Sequence, residues 1–208
     1  MAVSKMSGSA DQQSAARRAG IEAAAYDVLL EKGYKSASML AVARRAKASN
    51  ETMYRWYGDK AGLFKALVEA NAADVKAQLT SLASDDPIET LAAAAPILLS
   101  MVTGERAVAL NRAAAANVAE GGELGAAIAQ SGRNDIAPII GKVIARAMDT
   151  GAIGRADPAA AAEMFIRLLI GDLQIRRVIG VVPPLNPQEV ETRAAQAMRL
   201  FLAVFPPQ

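Results

Sequence analysis

The sequence predicts an all-α protein. Apolar residues recur at three- and four-residue intervals through most of the 208 positions, and no alternating run of β-branched residues interrupts them. Three Asx-Pro pairs, Asp86-Pro87, Asp157-Pro158 and Asn186-Pro187, each set a capping side chain before a proline suited to the first helical position. Apolar residues form 52% of the chain, enough to bury a real core.

The elements follow in order. Residues 1–13, rich in Ser, Gln, Gly and Ala, read as a flexible arm. Ile21, Ala24, Ala25, Val28 and Leu29 share a face of a helix from Ser14 to Lys32, which Gly33 closes as a left-handed C′ residue. Ser38 caps a short helix to Ala46, in which Met39, Val42, Ala43 and Ala46 point one way. A tight turn follows, and Ser49 caps a third helix to Tyr57. Asp59 caps a longer helix to Leu82. Beyond it lie Ala/Leu/Ile-rich helices, in which Pro96 and Pro138 kink or begin helices and Asn186 with Glu189 has capping-box spacing. The expected domains are therefore 14–58 for the three short helices, 59–82 for a connecting helix, and 83–208 for a larger helical unit.

Two absences narrow the chemistry. With no cysteine and no histidine, the chain has no thiolate or imidazole to ligate a metal and no Ser-His-Asp triad. No metal site and no cofactor are expected. A helical enzyme would have to work through carboxylates or Lys, and no paired carboxylates stand out. The start, MAVSKMSGSADQQSAARR, lacks an apolar signal core, and no segment reaches the roughly 18 apolar residues of a membrane span. A cytoplasmic protein without a membrane partner is expected. Residues 1–80 carry 12 Lys and Arg against 8 Asp and Glu, a net of +4, whereas the remainder carries 11 against 13, a net of −2. Cationic character thus belongs to the N-terminal third, where a nucleic-acid contact would need it.

The segment SMLAVARRAKASNETMYRWYGDK concentrates that character. Two short helices joined by a three- to four-residue turn have the spacing of a helix-turn-helix. On the second, Met53 and Tyr57 point inward, Tyr57 towards Tyr26, Tyr34 and Phe64. Asn50 with Tyr54, and Thr52 with Trp56, occupy other faces. Tyr54 and Trp56 then flank an exposed face whose O–H and N–H groups suit phosphate. Asn50 either contacts a base or satisfies backbone amides, and Glu51 either accepts from a cytosine amino group or pairs with Arg55 four residues on. Arg44 and Arg45 form a solvated face or touch phosphate, Arg45 being favoured for the phosphate role. Lys60 adds its cation to the amides at a helix start, which favour anions.

The stretch GYKSASMLAVARRAKASNETMYRWYGDKAGLF resembles the DNA-binding domain of the tetracycline-repressor (TetR) family of bacterial regulators, over Arg17 to Leu79. Gly33, Ser38, Val42-Ala43, Ala46, Ser49, Thr52, Tyr54, Tyr57, Lys60 and Leu63 carry the likeness. Two departures stand out: Lys47 and Glu51 replace glycines common in the family. The resemblance implies a homodimeric repressor on double-stranded operator DNA that lets go when a small molecule binds the C-terminal domain. It places DNA contacts at Ser38, Arg45, Lys47, Ser49, Asn50, Glu51, Thr52, Tyr54, Arg55, Trp56 and Lys60. A DNA-binding regulator that activates, or that has no small effector, is the alternative. The tail from Gly171 resembles the last two helices of an AefR-like subgroup.

From Lys65 to Met164 there is no Phe, Tyr or Trp, so those helices pack through aliphatic side chains and methionine. Met101, Met148 and Met164 offer adaptable apolar walls, and Asn111, Asn117 and Gln130 offer polar handles, for a small apolar effector. The last helices are apolar on two sides, which calls for a second partner. Phe165, Leu169, Leu173, Met198, Phe201 and Phe205 are the expected dimer contacts in a two-fold four-helix interface, with deeper burial inside one subunit as the alternative.

Overall fold

The structure is a computed structural model that describes residues 3–82 and 84–207. Among the described residues every regular element is helical, as predicted. The order is α1 (Val3–Ser36), α2 (Met39–Arg45), α3 (Asn50–Tyr57), α4 (Lys60–Ser81), α5 (Pro87–Thr103), α6 (Glu105–Asn117), α7 (Glu123–Ser131), α8 (Ala137–Asp149), α9 (Pro158–Ile170), α10 (Leu173–Val178) and α11 (Pro187–Val204). A 3₁₀ turn, Val118–Glu120, follows α6, and a π turn, Gly132–Ile136, joins α7 to α8. No single helix among these is long and apolar enough to cross a membrane.

Local chemistry sets the helix starts. Ser38 Oγ accepts from the Ala41 amide at 3.2 Å, Ser49 Oγ from Thr52 at 3.1 Å, and Asp59 from Gly62 at 2.8 Å. Asp86 and Asp157 cap α5 and α9, and Asn186 and Glu189 complete a reciprocal capping box on α11. Each such cap is worth about 1 kcal/mol, so these boundaries need no tertiary support. Pro138 lies in the first turn of α8, while Pro96 sits inside α5.

Two boundaries differ from the sequence expectation. Met1 and Ala2 of the predicted arm lie outside the described residues, and from Val3 the backbone is already helical. The Ser/Ala/Gln run contains no proline, so a helix anchored downstream propagates back through it. At the other end Gly33 is not the stop of α1. It leaves helical geometry at φ 69° and ψ 168°, and the chain resumes helix to Ser36. That break turns Tyr34 inward, where it is buried and meets Phe64 edge-on at 5.2 Å.

Two cores result. The first joins Ile21, Val28, Val42, Met53, Tyr57, Leu63 and Phe64. It continues past residue 58 into Leu67 and Val68 of α4, Leu110 and Ala113 of α6, and Leu124 of α7. The helix-turn-helix is therefore joined to the C-terminal helices through α1, which packs on α6, and α4, which packs on α7, with Tyr34 Oη accepting from Asn117 Nδ2 at 3.2 Å. The second core collects the end of α4 with α5, α8, α9 and α11 around Leu99, Ile140, Phe165 and Phe201. Arg177, 4% exposed, clamps α10 to the α5–α6 joint by donating to Thr103 O at 3.0 Å and Glu105 Oε1 at 2.7 Å.

The turn between α2 and α3 carries local strain. Lys47 adopts φ 51°, a left-handed conformation natural to glycine. Its carbonyl accepts from Arg17 Nη2 at 2.6 Å, which ties the strained turn to α1. Inside the core, Tyr57 Oη is buried without a hydrogen-bond partner among the described residues. Tyr57→Phe is therefore expected to leave stability unchanged or to raise it by up to about 1–2 kcal/mol in urea unfolding, because an unpaired buried hydroxyl is removed. Lys47→Val should lower stability by about 1–3 kcal/mol, since a β-branched side chain tolerates positive φ poorly, whereas Lys47→Gly should stay within about 1 kcal/mol of the parent.

Candidate nucleic-acid interface and effector cavity

Helix α3 buries Met53 and Tyr57 and turns its other faces outward. Asn50, Glu51, Tyr54 and Arg55 are exposed, with Tyr54 at 57%. Lys47 and Arg44 are exposed beside them on the turn and on α2. Glu51 Oε1 and Arg55 Nη1 lie 4.0 Å apart, the i,i+4 pairing of the two alternatives. An exposed pair at that separation contributes little, so both side chains can still turn to other partners. Ser38 and Ser49 work as caps, and Thr52 Oγ1 shares a hydrogen bond with Ser49 Oγ at 2.9 Å. That pair stiffens the first turn of α3, which presents Asn50.

Three expected contacts are engaged inside the chain. Arg45, favoured over Arg44 as a free cation, instead forms a fork with Glu31 at 2.7 and 2.5 Å and lies 3.8 Å from Asp27. Asp27 and Glu31 stand one turn apart on α1, so the planar guanidinium bridges α2 to α1. Its hydrogen bonds hold the Glu31 carboxyl below the ordinary carboxylate range. The second is Trp56. It is half-buried against the first core, with the Arg18 guanidinium 4.9 Å from its ring, rather than standing free on the outer face. Lys60 is the third: its Nζ lies 4.0 Å over the Tyr34 ring and donates to Lys35 O at 3.4 Å. It remains the first residue of α4, where the helix amides favour an anion.

Sequence reasoning missed Arg17 and Arg18. One reaches the Lys47 carbonyl and the other covers Trp56, so α1 contributes two cations to the motif's edge. Their signal was a cationic pair one turn ahead of Ile21, on the helix that packs across α2.

An apolar cavity of about 400 Å³ lies among α4, α5, α6, the π turn and α9. Val68, Leu98, Leu110, Ile136 and Ile166 supply its wall. Of the residues expected to face an effector, Met101 and Asn111 line it, and Asn111 uses its Nδ2 on Ala107 O at 2.9 Å, which leaves the Oδ1 acceptor available. Four expected lining residues do not. Asn117 is 3% exposed, donates to Tyr34 Oη and accepts from the Leu124 amide at 3.4 Å. Its amide joins the two parts of the fold instead of facing a ligand. Gln130 points outward on α7, Met148 is buried in the second core, and Met164 is 38% exposed on α9. The cavity's other polar groups, which include Asn71, Ser131, Arg133 and Gln174, were not singled out by sequence.

Of the expected dimer contacts, four lie inside the chain's own core and two at its edge. Phe165, Leu169 and Phe201 are each 0% exposed, and Met198 is 7% exposed, all within the chain's own second core. Leu173 and Phe205 are half-buried against it. Large rings have the most to gain from burial, so they took the inward stripe of each helix. The large apolar residues left outside on the same helices are Met164 of α9 with Leu200 and Val204 of α11.

Comparison with known proteins agrees with this geometry. Residues 16–67 match the family of bacterial regulatory proteins, tetR family, and residues 89–207 match the AefR-like transcriptional repressor C-terminal domain. A curated relative, the uncharacterized HTH-type transcriptional regulator YdeS of Bacillus subtilis, is 46% identical over 43 residues, which is 21% of this chain and 22% of that protein. A TetR-family regulator from Mesorhizobium loti superposes with a TM-score of 0.76 at 25% identity, over 92% of this chain and 98% of the other. A TetR regulator from Agrobacterium tumefaciens gives 0.74 at 27%, over 92% and 95%. With its helix-turn-helix and its AefR-like C-terminal region both matched, the chain belongs to the TetR family of bacterial transcriptional regulators.

Proposed function

We propose that the protein is a repressor that binds a near-palindromic operator as a homodimer and is released by a small, largely apolar effector. The observation that carries this reading is one helix shared by two sites. α4 begins with Lys60 at the edge of the helix-turn-helix and places Val68, Asn71 and Ala72 in the cavity wall. Asn50, Tyr54 and Arg55 are the base- and phosphate-directed groups of α3, with Lys47 and Arg44 beside them. Arg44 replaces Arg45 in the phosphate role, since Arg45 is held by Glu31.

Dimerisation is supported by Met164, Leu200 and Val204, apolar side chains exposed on the outer faces of α9 and α11. Two copies joined there hold two α3 helices at fixed separation, as a two-fold operator requires. Release follows if the effector prefers the conformation that does not fit DNA. A complete change of population takes on the order of 5 kcal/mol of differential affinity. The π turn supports α4 as the lever, because it lines the cavity and its Asp135 lies 3.5 Å from Lys76 of α4.

The deciding experiment is footprinting on the cognate promoter, followed by a screen of apolar compounds against the protein–DNA complex. Apolar compounds are expected to raise the melting temperature and dissociate the complex. Release only by a divalent metal or a highly charged metabolite would contradict the reading. Leu200→Arg should yield a folded monomer by light scattering and lose operator binding; a stable dimer would place the interface elsewhere. Lys60→Ala and Arg44→Ala should each reduce the magnitude of the salt slope of binding by about 1, while Arg45→Ala leaves it unchanged. Asn50→Ala should cost about 1–3 kcal/mol, concentrated at one base position.

A further inference from the structure

The effector cavity has a neighbour. A second hollow, of about 610 Å³, opens between α4, α5 and the start of α11. Asn71 of α4 and Met101 of α5 line both spaces, so these two side chains stand between the hollows. The boundary they form carries a carboxamide and an unbranched thioether. Methionine's three rotatable bonds let such a partition open without movement of the backbone.

The chemistry changes across it. The first chamber is walled mainly by aliphatic side chains, whereas the second presents Asp74, Gln78, Ser100 and Glu191. The cation lining the second chamber, Arg106, is engaged: it lies 4.0 Å from Asp74 and 5.1 Å from the centre of the Tyr26 ring. Glu191 is exposed on the first turns of α11 and gives this chamber a residual negative charge. The first chamber's lining also includes the exposed Arg133 and Glu163, and Glu163 is held by Arg167 at 2.9 Å.

We propose that the two hollows form one site for an elongated amphiphile with a cationic head. Its apolar body fills the first chamber and its chain passes between Asn71 and Met101. The head rests against Glu191 and the outer edge of Asp74, which disfavour an anion there. A molecule so placed lies across α4, the helix that leads to the DNA-binding motif. The inference rests on the first cavity being the effector site, and the test separates the two.

The test is calorimetric titration of the full chain, without DNA, using decyltrimethylammonium, decanol and decanoate below their micelle concentrations. The ammonium should bind best and decanoate worst. Shortening the chain from decyl to hexyl should weaken binding by about three- to fourfold per methylene. Glu191→Gln, an exposed change remote from the first chamber, should reduce the ammonium's advantage over decanol by about two- to fivefold. Met101→Trp should close the boundary and weaken decyltrimethylammonium by about tenfold, the loss of roughly two methylenes from the buried length. Decanoate binding as well as the ammonium would overturn the proposal by placing the head at Arg133. An unchanged ammonium-to-decanol ratio in Glu191→Gln would overturn it too. If apolar compounds release the operator while the ammonium has no advantage, this inference falls and the repressor reading stands. If the ammonium binds as described but nothing releases DNA, the repressor reading falls and the two-chamber site stands.

Discussion

The contact on which the rest of the structure depends is the one Tyr34 makes in three directions. Its ring packs edge-on against Phe64 at 5.2 Å, Lys60 lies over it at 4.0 Å, and its hydroxyl accepts from Asn117 at 3.2 Å. Those partners belong to α4 and α6, while Tyr34 itself closes α1. One buried side chain therefore fixes the angle between the helix-turn-helix, the connecting helix and the C-terminal body. Buried polar contacts of this kind are directional, so a shift of α6 cannot be absorbed by sliding, as it can between aliphatic faces. Asn117 continues the chain of contacts through the Leu124 amide at the start of α7.

What was legible in the sequence was local. Ser38, Ser49, Asp59, Asp86, Asp157 and Asn186 all cap the helices they announced, because a cap needs only its own first turn. Met53 and Tyr57 turned inward because, of the four-spaced pairs on α3, only theirs joins two large, largely apolar side chains without a polar partner at the same face. Gly33 showed a positive φ as expected, yet the chain re-entered helix after it, because a tertiary berth for Tyr34 outweighed the stop signal.

What was not legible depended on a partner distant in sequence. The fork of Arg45 with Glu31 needs α1 and α2 to cross at that point, and periodicity says nothing of crossings. Asn117 carried no sign that it would meet a tyrosine 83 positions earlier. On α9 and α11, apolar residues occupy two stripes, and spacing alone cannot say which faces in. The core chose the phenylalanines and left Met164, Leu200 and Val204 outside.

The placement of the chain's one tryptophan has an optical consequence. Trp56 sits at the end of α3 under Arg18, and the cavity wall contains neither tryptophan nor tyrosine. Intrinsic emission excited at the indole band is thus blind to direct contact with an occupant of the cavity. For an occupant that does not itself absorb in that range, a spectral change on binding would report a rearrangement at α3. The indole is thus placed to report on the helix-turn-helix and not on the cavity.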